Sequence, residues 1–205
     1  MSMLCTLSRV TASQMEAMRC DSSVADQLLH EEPPAIAARP GLFAKLFGKA
    51  PPAPPARTVP WIGAARQYDL DRQWHILHFL LTGQGEGGPF PASFLCDGGE
   101  EVGTDLGFGK PRLFTAEQAG RIAAHLRSIG EAELLERYDS DAMEAQDVYW
   151  QAEDSADERR RQVRELHETM VELADFAGET ARLGAGLVVE IYWYSKTHNA
   201  IRATA

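Results

Sequence analysis

The sequence predicts an α+β fold: one domain in which a mainly antiparallel or mixed sheet packs against several helices, including a long C-terminal helix followed by a central strand. Three observations carry this. Across residues 156–183, Val163, Leu166, Met170, Leu173, Ala177 and Ala181 recur every three or four positions, the period of a helix that buries one stripe. Residues 187–194 then form an almost unbroken run of β-branched and aromatic side chains, as expected for a strand covered on both faces. A chain of 205 residues is long enough for one ample core and short for two.

The elements follow in order. Residues 3–10 are short and apolar with polar breaks at Thr6 and Ser8, which suits a strand. Thr11 with Gln14 has the spacing of a capping box, in which the hydroxyl and the amide side chain each satisfy a backbone N–H at the helix start. A helix is therefore predicted toward Cys20. Asp21-Ser22-Ser23 can cap a second helix through Val24, Leu28 and Leu29, which must stop before Pro33-Pro34 because proline lacks the amide donor.

Residues 31–60 hold eight prolines, from Pro33 to Pro60, and read as an insertion or linker in extended polyproline geometry. Inside it, Leu42, Phe43, Leu46 and Phe47 form one apolar face over residues 41–49. Such a face can dock on a partner or a membrane surface, but a single turn packed on its own domain is the expected reading.

Residues 68–83 are predicted as one helix, capped by Asp69 or Asp71 and closed by Gly83, with Leu70, Trp74, Leu77 and Leu81 along its inner stripe. Ile76 and Leu80 widen that stripe, so the helix is expected to be buried. His75 and His78 stand three apart, with Asp71 one turn before His75. A carboxylate beside an imidazole can fix its tautomer for acid–base work or share a metal ion. Zinc helices, however, space their histidines four apart with a glutamate between them, so no metal is expected and half-buried histidines bonded to backbone or carboxylate are.

Residues 83–89 read as a mobile glycine loop, 90–96 as a strand, and Asp97-Gly98-Gly99 as its closing turn. Residues 102–112 are glycine-rich and carry Asp105, Lys110 and Arg112. A phosphate-binding loop would need glycine where Thr104 stands and a hydroxyl where Pro111 stands, and the dinucleotide fingerprint fails at Arg112. These glycines are expected to serve positive φ and a close chain crossing, with Lys110 and Arg112 at a rim that offers an anion site as the second reading.

Thr115 with Gln118 repeats the capping box and opens a helix to Ile129 whose inner stripe is Ala119, Ile122, Ala123 and Leu126. Gly130 stops it. A shorter helix is predicted over 131–138, another capped by Asp139 or Ser140 through Met143, and then the long helix, whose Arg159-Arg160-Arg161 run among acids reads as a solvated ion-paired face. Residues 196–205 are expected to form a tail after a single domain over 1–195.

The formal charge of −10 and pI near 5.1 oppose nucleic acid and anionic membrane surfaces as partners. Cys5, Cys20 and Cys96 are odd in number and widely spaced, which suits reduced thiols in the cytoplasm rather than a disulfide framework. There is no basic-then-apolar leader and no stretch of about 18 apolar residues, so neither a secretion signal nor a membrane span is expected.

The motif Tyr68-Asp69-Leu70-Asp71-x-x-Trp74-x-x-Leu77-His78-Phe79-Leu80-Leu81-Thr82-Gly83, the segment Gly98 to Arg112 and the last strand together resemble the YfbM-like bacterial family of domains of unknown function. The resemblance spans nearly the whole chain; the proline-rich insertion is its main departure. It implies a compact α+β domain with helices around a sheet, and brings no catalytic residue, cofactor or substrate.

Two function classes follow. The favoured one is a non-catalytic module binding a protein or a ligand, with an immunity-type protein that neutralises a toxin as one form of it. The alternative is a small hydrolase or other enzyme using Asp69, Asp71, His75 and His78 with Arg112 as anion anchor, although no G-x-S-x-G elbow, Cys–His pair or zinc motif supports a reaction class. The candidate binding residues are thus Asp69, Asp71, His75, His78, Asp105, Lys110 and Arg112, with no cofactor. The oligomeric state is not legible in the sequence.

Overall fold

The structure is a computed structural model, and it describes residues 2–30, 66–150, 153 and 155–194. The proline-rich insertion, its apolar 41–49 stretch and the 196–205 tail lie outside the described residues. The elements are β1 (Ser2–Val10), α1 (Ala12–Cys20), α2 (Ser22–His30), β2 (Gln67–Asp71), α3 (Trp74–Thr82), β3 (Glu100–Glu101), β4 (Arg112–Phe114), α4 (Ala116–Ser128), α5 (Glu131–Glu136), α6 (Ser140–Ala145), α7 (Ala156–Arg182) and β5 (Gly186–Tyr194).

The five strands form one sheet in the order β2-β1-β5-β4-β3, and every pairing is antiparallel. The predicted central strand is central: β5 lies between β1 and β4. Its pairing with β1 runs without a break from Ser2↔Tyr194 to Val10↔Gly186, so the first and last elements of the domain close on each other. No helix among the described residues is long and apolar enough to cross a membrane.

Strand alternation explains why β5 is apolar almost throughout. Leu187, Val189 and Ile191 face one way and join Cys5, Leu7 and Phe114 in a core built with α3, α4 and α7. Val188, with Val10 and Leu113, faces the other way and is covered by Met18 of α1 and Ala25, Leu28 and Leu29 of α2. The result is a sheet between two helical layers.

Local signals held where the chain alone decides. Capping boxes are present at Thr11/Gln14 and Thr115/Gln118, and a third at Ser155/Glu158 opens α7. Asp139 caps α6 through the amide of Ala142, and Gly83 closes α3 in the left-handed region at φ 73°.

Two predicted elements differ. The 68–83 helix is shorter and preceded by β2, because residues 67–71 pair with Ser8, Leu7, Thr6 and Cys5. The predicted strand over 90–96 is instead a chain of tight turns, with Ser93 N–H donating to Pro89 O, Phe94 to Pro91 O, and Cys96 and Asp97 to Ser93 O. Pro89 and Pro91 have no amide to give to a ladder. The apolar side chains keep their destination nonetheless: Ala92, Phe94 and Leu95 are buried in the main core.

Candidate functional site

The Asp/His grouping expected on one helix does not form. Asp69 is an exposed β2 residue whose carboxylate accepts the Thr6 hydroxyl at 2.6 Å. Asp71 ends β2 opposite Cys5, also exposed, with φ 51°. Neither caps α3; its N-cap is Gln73, which makes no side-chain cap bond. The physical reason is that an acid–apolar–acid run before an apolar stripe resembles a cap, while its strand partner lies more than sixty positions upstream. Non-local pairing overrode the local signal.

α3 is buried from Trp74 to Leu81 on every side, histidines included. The His75 ring stacks on the indole of Trp74 with centroids 4.4 Å apart and planes 2° from parallel. Its Nδ1 accepts the amide of Tyr149 at 2.8 Å, which leaves the proton on Nε2, donated to the carbonyl of Gly85 at 2.8 Å. Burial pushes the His75 pKa down, opposed by the Gly85 bond and the nearby Glu86 charge. This imidazole is neutral, with both nitrogens engaged, and has no free position for proton transfer.

His78 is fully buried, and neither ring nitrogen meets hydrogen-bond geometry among the described residues, although the Gly87 backbone lies near enough to oppose the fall in its pKa. Burial, followed by repulsion from His75, lowers that pKa to about 4. It is a neutral core residue at ordinary pH.

A concave feature of the described surface lies near this helix. A cavity of about 310 Å³ is lined by Glu86 and Gly87 from the glycine loop, Cys96 and Asp97 from the turns, and Phe108 and Arg112 from the second glycine-rich segment. A recess of about 10 Å³ adjoins it through Cys96, Phe108 and Arg112, and adds Lys110, Leu95, Val189 and Ile191. Phe108 is held from behind by the edge of Trp74, with centroids 4.9 Å apart.

Each wall has a local cause. The loop after α3 is held rather than loose: Gly85 is buried, its carbonyl accepts the His75 Nε2–H, and its amide donates to Gln146 Oε1 at 2.9 Å. The second segment turns tightly at Gly103, Gly107 and Gly109, all at positive φ, and Gly107 bridges to Tyr192 of β5. A methyl group on Gly107 would overlap the Trp193 ring, which is the close chain crossing that the glycines implied.

Arg112 sits on β4 with its side chain 23% exposed. Nη1 reaches the carbonyl of Gly98 at 3.5 Å and the Asp97 carboxylate at 4.0 Å, both at the outer limit of such contacts. Among the described residues, the guanidinium therefore keeps donors in reserve. Lys110 is about half exposed and stands 4.0 Å from Glu101. Asp105 is not part of the cavity; its carboxylate accepts the Gly107 amide at 2.7 Å and shapes the turn.

The cavity brings two carboxylates, a guanidinium, a thiol and an aromatic ring to one lining. Burial, with Glu86 and Asp97 nearby, pushes the Cys96 thiol up to about 12 against the pull of Arg112, so it is protonated and a poor nucleophile at neutral pH. Among the described residues, no group of three His, Cys, Asp or Glu side chains is placed to hold a metal ion. Of the seven candidate residues, the structure brings Arg112 and Lys110 together at the cavity and its recess, keeps His75 and His78 in the core beside it, and leaves Asp69, Asp71 and Asp105 elsewhere.

Sequence reasoning missed Glu86, Cys96, Asp97 and Phe108. The available signal was two glycine-rich turns, each with an acid, flanking one apolar run; reading that run as a strand would have sent the two turns to opposite ends.

The model for a domain of unknown function, DUF1877, matches residues 1–190 of the chain. Among solved structures, the chain is similar to YfbM from Escherichia coli, a protein of unknown function, with TM-score 0.62 at 14% identity, covering 92% of this chain and 99% of that one. At that identity the likeness speaks to the fold. No curated protein matches the chain.

Proposed function

The chain belongs to the DUF1877 family of domains of unknown function, and from that premise we propose that it is a non-catalytic ligand-binding module of the bacterial cytoplasm, which holds a small anionic group at Arg112. One observation carries the reading: the Arg112 side chain, 23% exposed, lines a cavity of about 310 Å³, and its closest contacts to acceptors among the described residues are at 3.5 and 4.0 Å. Arginine offers a planar fork of donors that pairs with carboxylate or phosphate in two parallel bonds. The three free cysteines support a reducing compartment, and the E. coli relative supports a bacterial one.

The Asp/His hydrolase loses its support, since a neutral His75 bonded at both nitrogens and a buried His78 reach neither Asp69 nor Asp71. A protein partner, immunity-type or other, rests on net charge, which describes the whole surface and not a site, on the absence of a nucleophile motif, and on the proline-rich insertion, which lies outside the described residues. The concave cavity favours a small ligand.

The test is a titration of isotope-labelled protein with acetate and with inorganic phosphate, followed by NMR. Amide shifts at Gly87, Gly98, Phe108 and Arg112 that vanish in Arg112→Gln are expected. The same shifts in the variant, or no shift even with glycine, whose carboxylate comes with an ammonium group, would overturn the reading.

A further inference from the structure

The cavity is not a simple anion site, because its walls carry both signs of charge. Glu86 and Asp97 line the same space as Arg112. The Glu86 carboxylate makes no hydrogen bond or ion pair among the described residues, and Asp97 uses Oδ1 on the Gly98 amide at 2.7 Å, leaving Oδ2 open. A ligand carrying only negative charge would meet both carboxylates at close quarters, and one carrying only positive charge would meet Arg112 and, in the recess, Lys110.

We infer that the occupant is a small zwitterion of the α-amino-acid type, its carboxylate on Arg112 and its ammonium on Glu86 and Asp97, with an uncharged side chain against Phe108 and Cys96. The inference rests on the reading of Arg112 as the ligand anchor and adds the second charge to it. Three further features point the same way. The volume is near the lower end of the roughly 300–1,000 Å³ usual for ligand sites, which suits a molecule of amino-acid size. Phe108 supplies an aromatic wall, attractive both to an ammonium and to an apolar side chain, and Trp74 holds it in place from within the core.

The position of Glu86 is also built in advance. Its neighbour Gly85 is tied at the carbonyl by His75 and at the amide by Gln146, so the acid stands on a loop already ordered before a ligand arrives. His75 is thus a positioning residue for this wall, acting through Gly85.

The experiment is calorimetric titration of the full chain with glycine, L-serine, L-leucine and L-phenylalanine, each beside its N-acetyl and its amide derivative. At least one free amino acid is expected to bind about tenfold or more tighter than either derivative, the loss that follows when one charged hydrogen-bonding pair is removed. An N-acetyl derivative that binds as well as its parent overturns the zwitterion while leaving Arg112 as an anion anchor. An amide that binds as well as its parent, or a panel that fails together with acetate and phosphate, overturns both. If acetate or phosphate binds and no amino acid does, the zwitterion alone is overturned.

Glu86→Gln, on an exposed loop, supplies a variant that leaves the core untouched. It is expected to weaken the amino acid several-fold and to strengthen acetate, because it removes a partner from one and a repulsion from the other. Responses of the same sign contradict the inference.

Discussion

The backbone amide of Tyr149 donates to Nδ1 of His75 across 2.8 Å, so a residue seventy-four positions downstream decides which nitrogen of a helix histidine carries the proton. The other nitrogen holds Gly85, and one ring therefore ties α3 to two separate loops.

Replacing His75 with Phe keeps a ring against Trp74 but strands the Tyr149 N–H and the Gly85 carbonyl without their partner. Leaving the buried Gly85 carbonyl and the part-buried Tyr149 N–H unpaired is expected to cost about 1–3 kcal/mol. Urea unfolding of the full chain checks this; a variant within about 0.5 kcal/mol of the parent would show that neither bond matters to the fold.

Acid should weaken the fold through His78. Its folded pKa of about 4 lies below the ordinary 6.5, so as pH falls below 6.5 the unfolded chain takes up the proton first. The contribution of this residue is complete above pH 6.5, declines between 6.5 and about 4, and levels off below. The full decline is about 3 kcal/mol, and His75, whose pKa is also lowered, adds to it in the same direction. Unfolding free energies measured from pH 7 to pH 4 should fall less steeply in His78→Leu; parallel curves for the two proteins would contradict the assignment.

The three thiols should react in a fixed order. Cys20 is exposed, Cys96 is partly buried with its thiol pushed up to about 12, and Cys5 is buried in the core with its pKa raised well above the usual value. Alkylation by iodoacetamide near pH 7.5, followed by mass spectrometry, is expected to label Cys20 first, Cys96 far more slowly and Cys5 only in denaturant. Rapid labelling of Cys96 would mark it as an activated thiolate and reopen nucleophilic chemistry in the cavity.

Much of the frame was legible in order along the chain. The capping boxes at Thr11 and Thr115, the stripe of α7, the left-handed stop at Gly83 and the interior character of β5 all depend on neighbours within four or five residues, or on the period of burial, and both are written locally. Leu70, Trp74, Leu77 and Leu81 were assigned to the core by their apolar character and are there, although Leu70 reaches it from a strand and not from the helix.

The site was less legible. Arg112 and Lys110 were singled out by charge in a glycine-rich stretch, and both line the cavity or its recess. Their counterparts were not, because Glu86 and Asp97 become neighbours of Arg112 only after the turns over 90–97 fold back, a path that the two prolines permit and that no periodicity encodes.

By itself the sequence determined the α+β class, most helix boundaries and the burial of α3, since propensity, capping and hydrophobic period act over short separations. Tertiary structure alone decided that residues 67–71 are a strand on β1, that His75 is a neutral tie between loops, and that Glu86, Asp97 and Arg112 face one cavity. Each of these depends on backbone hydrogen bonds or chain crossings between segments far apart in sequence, and the free energy of such contacts exists only once the chain has closed around them.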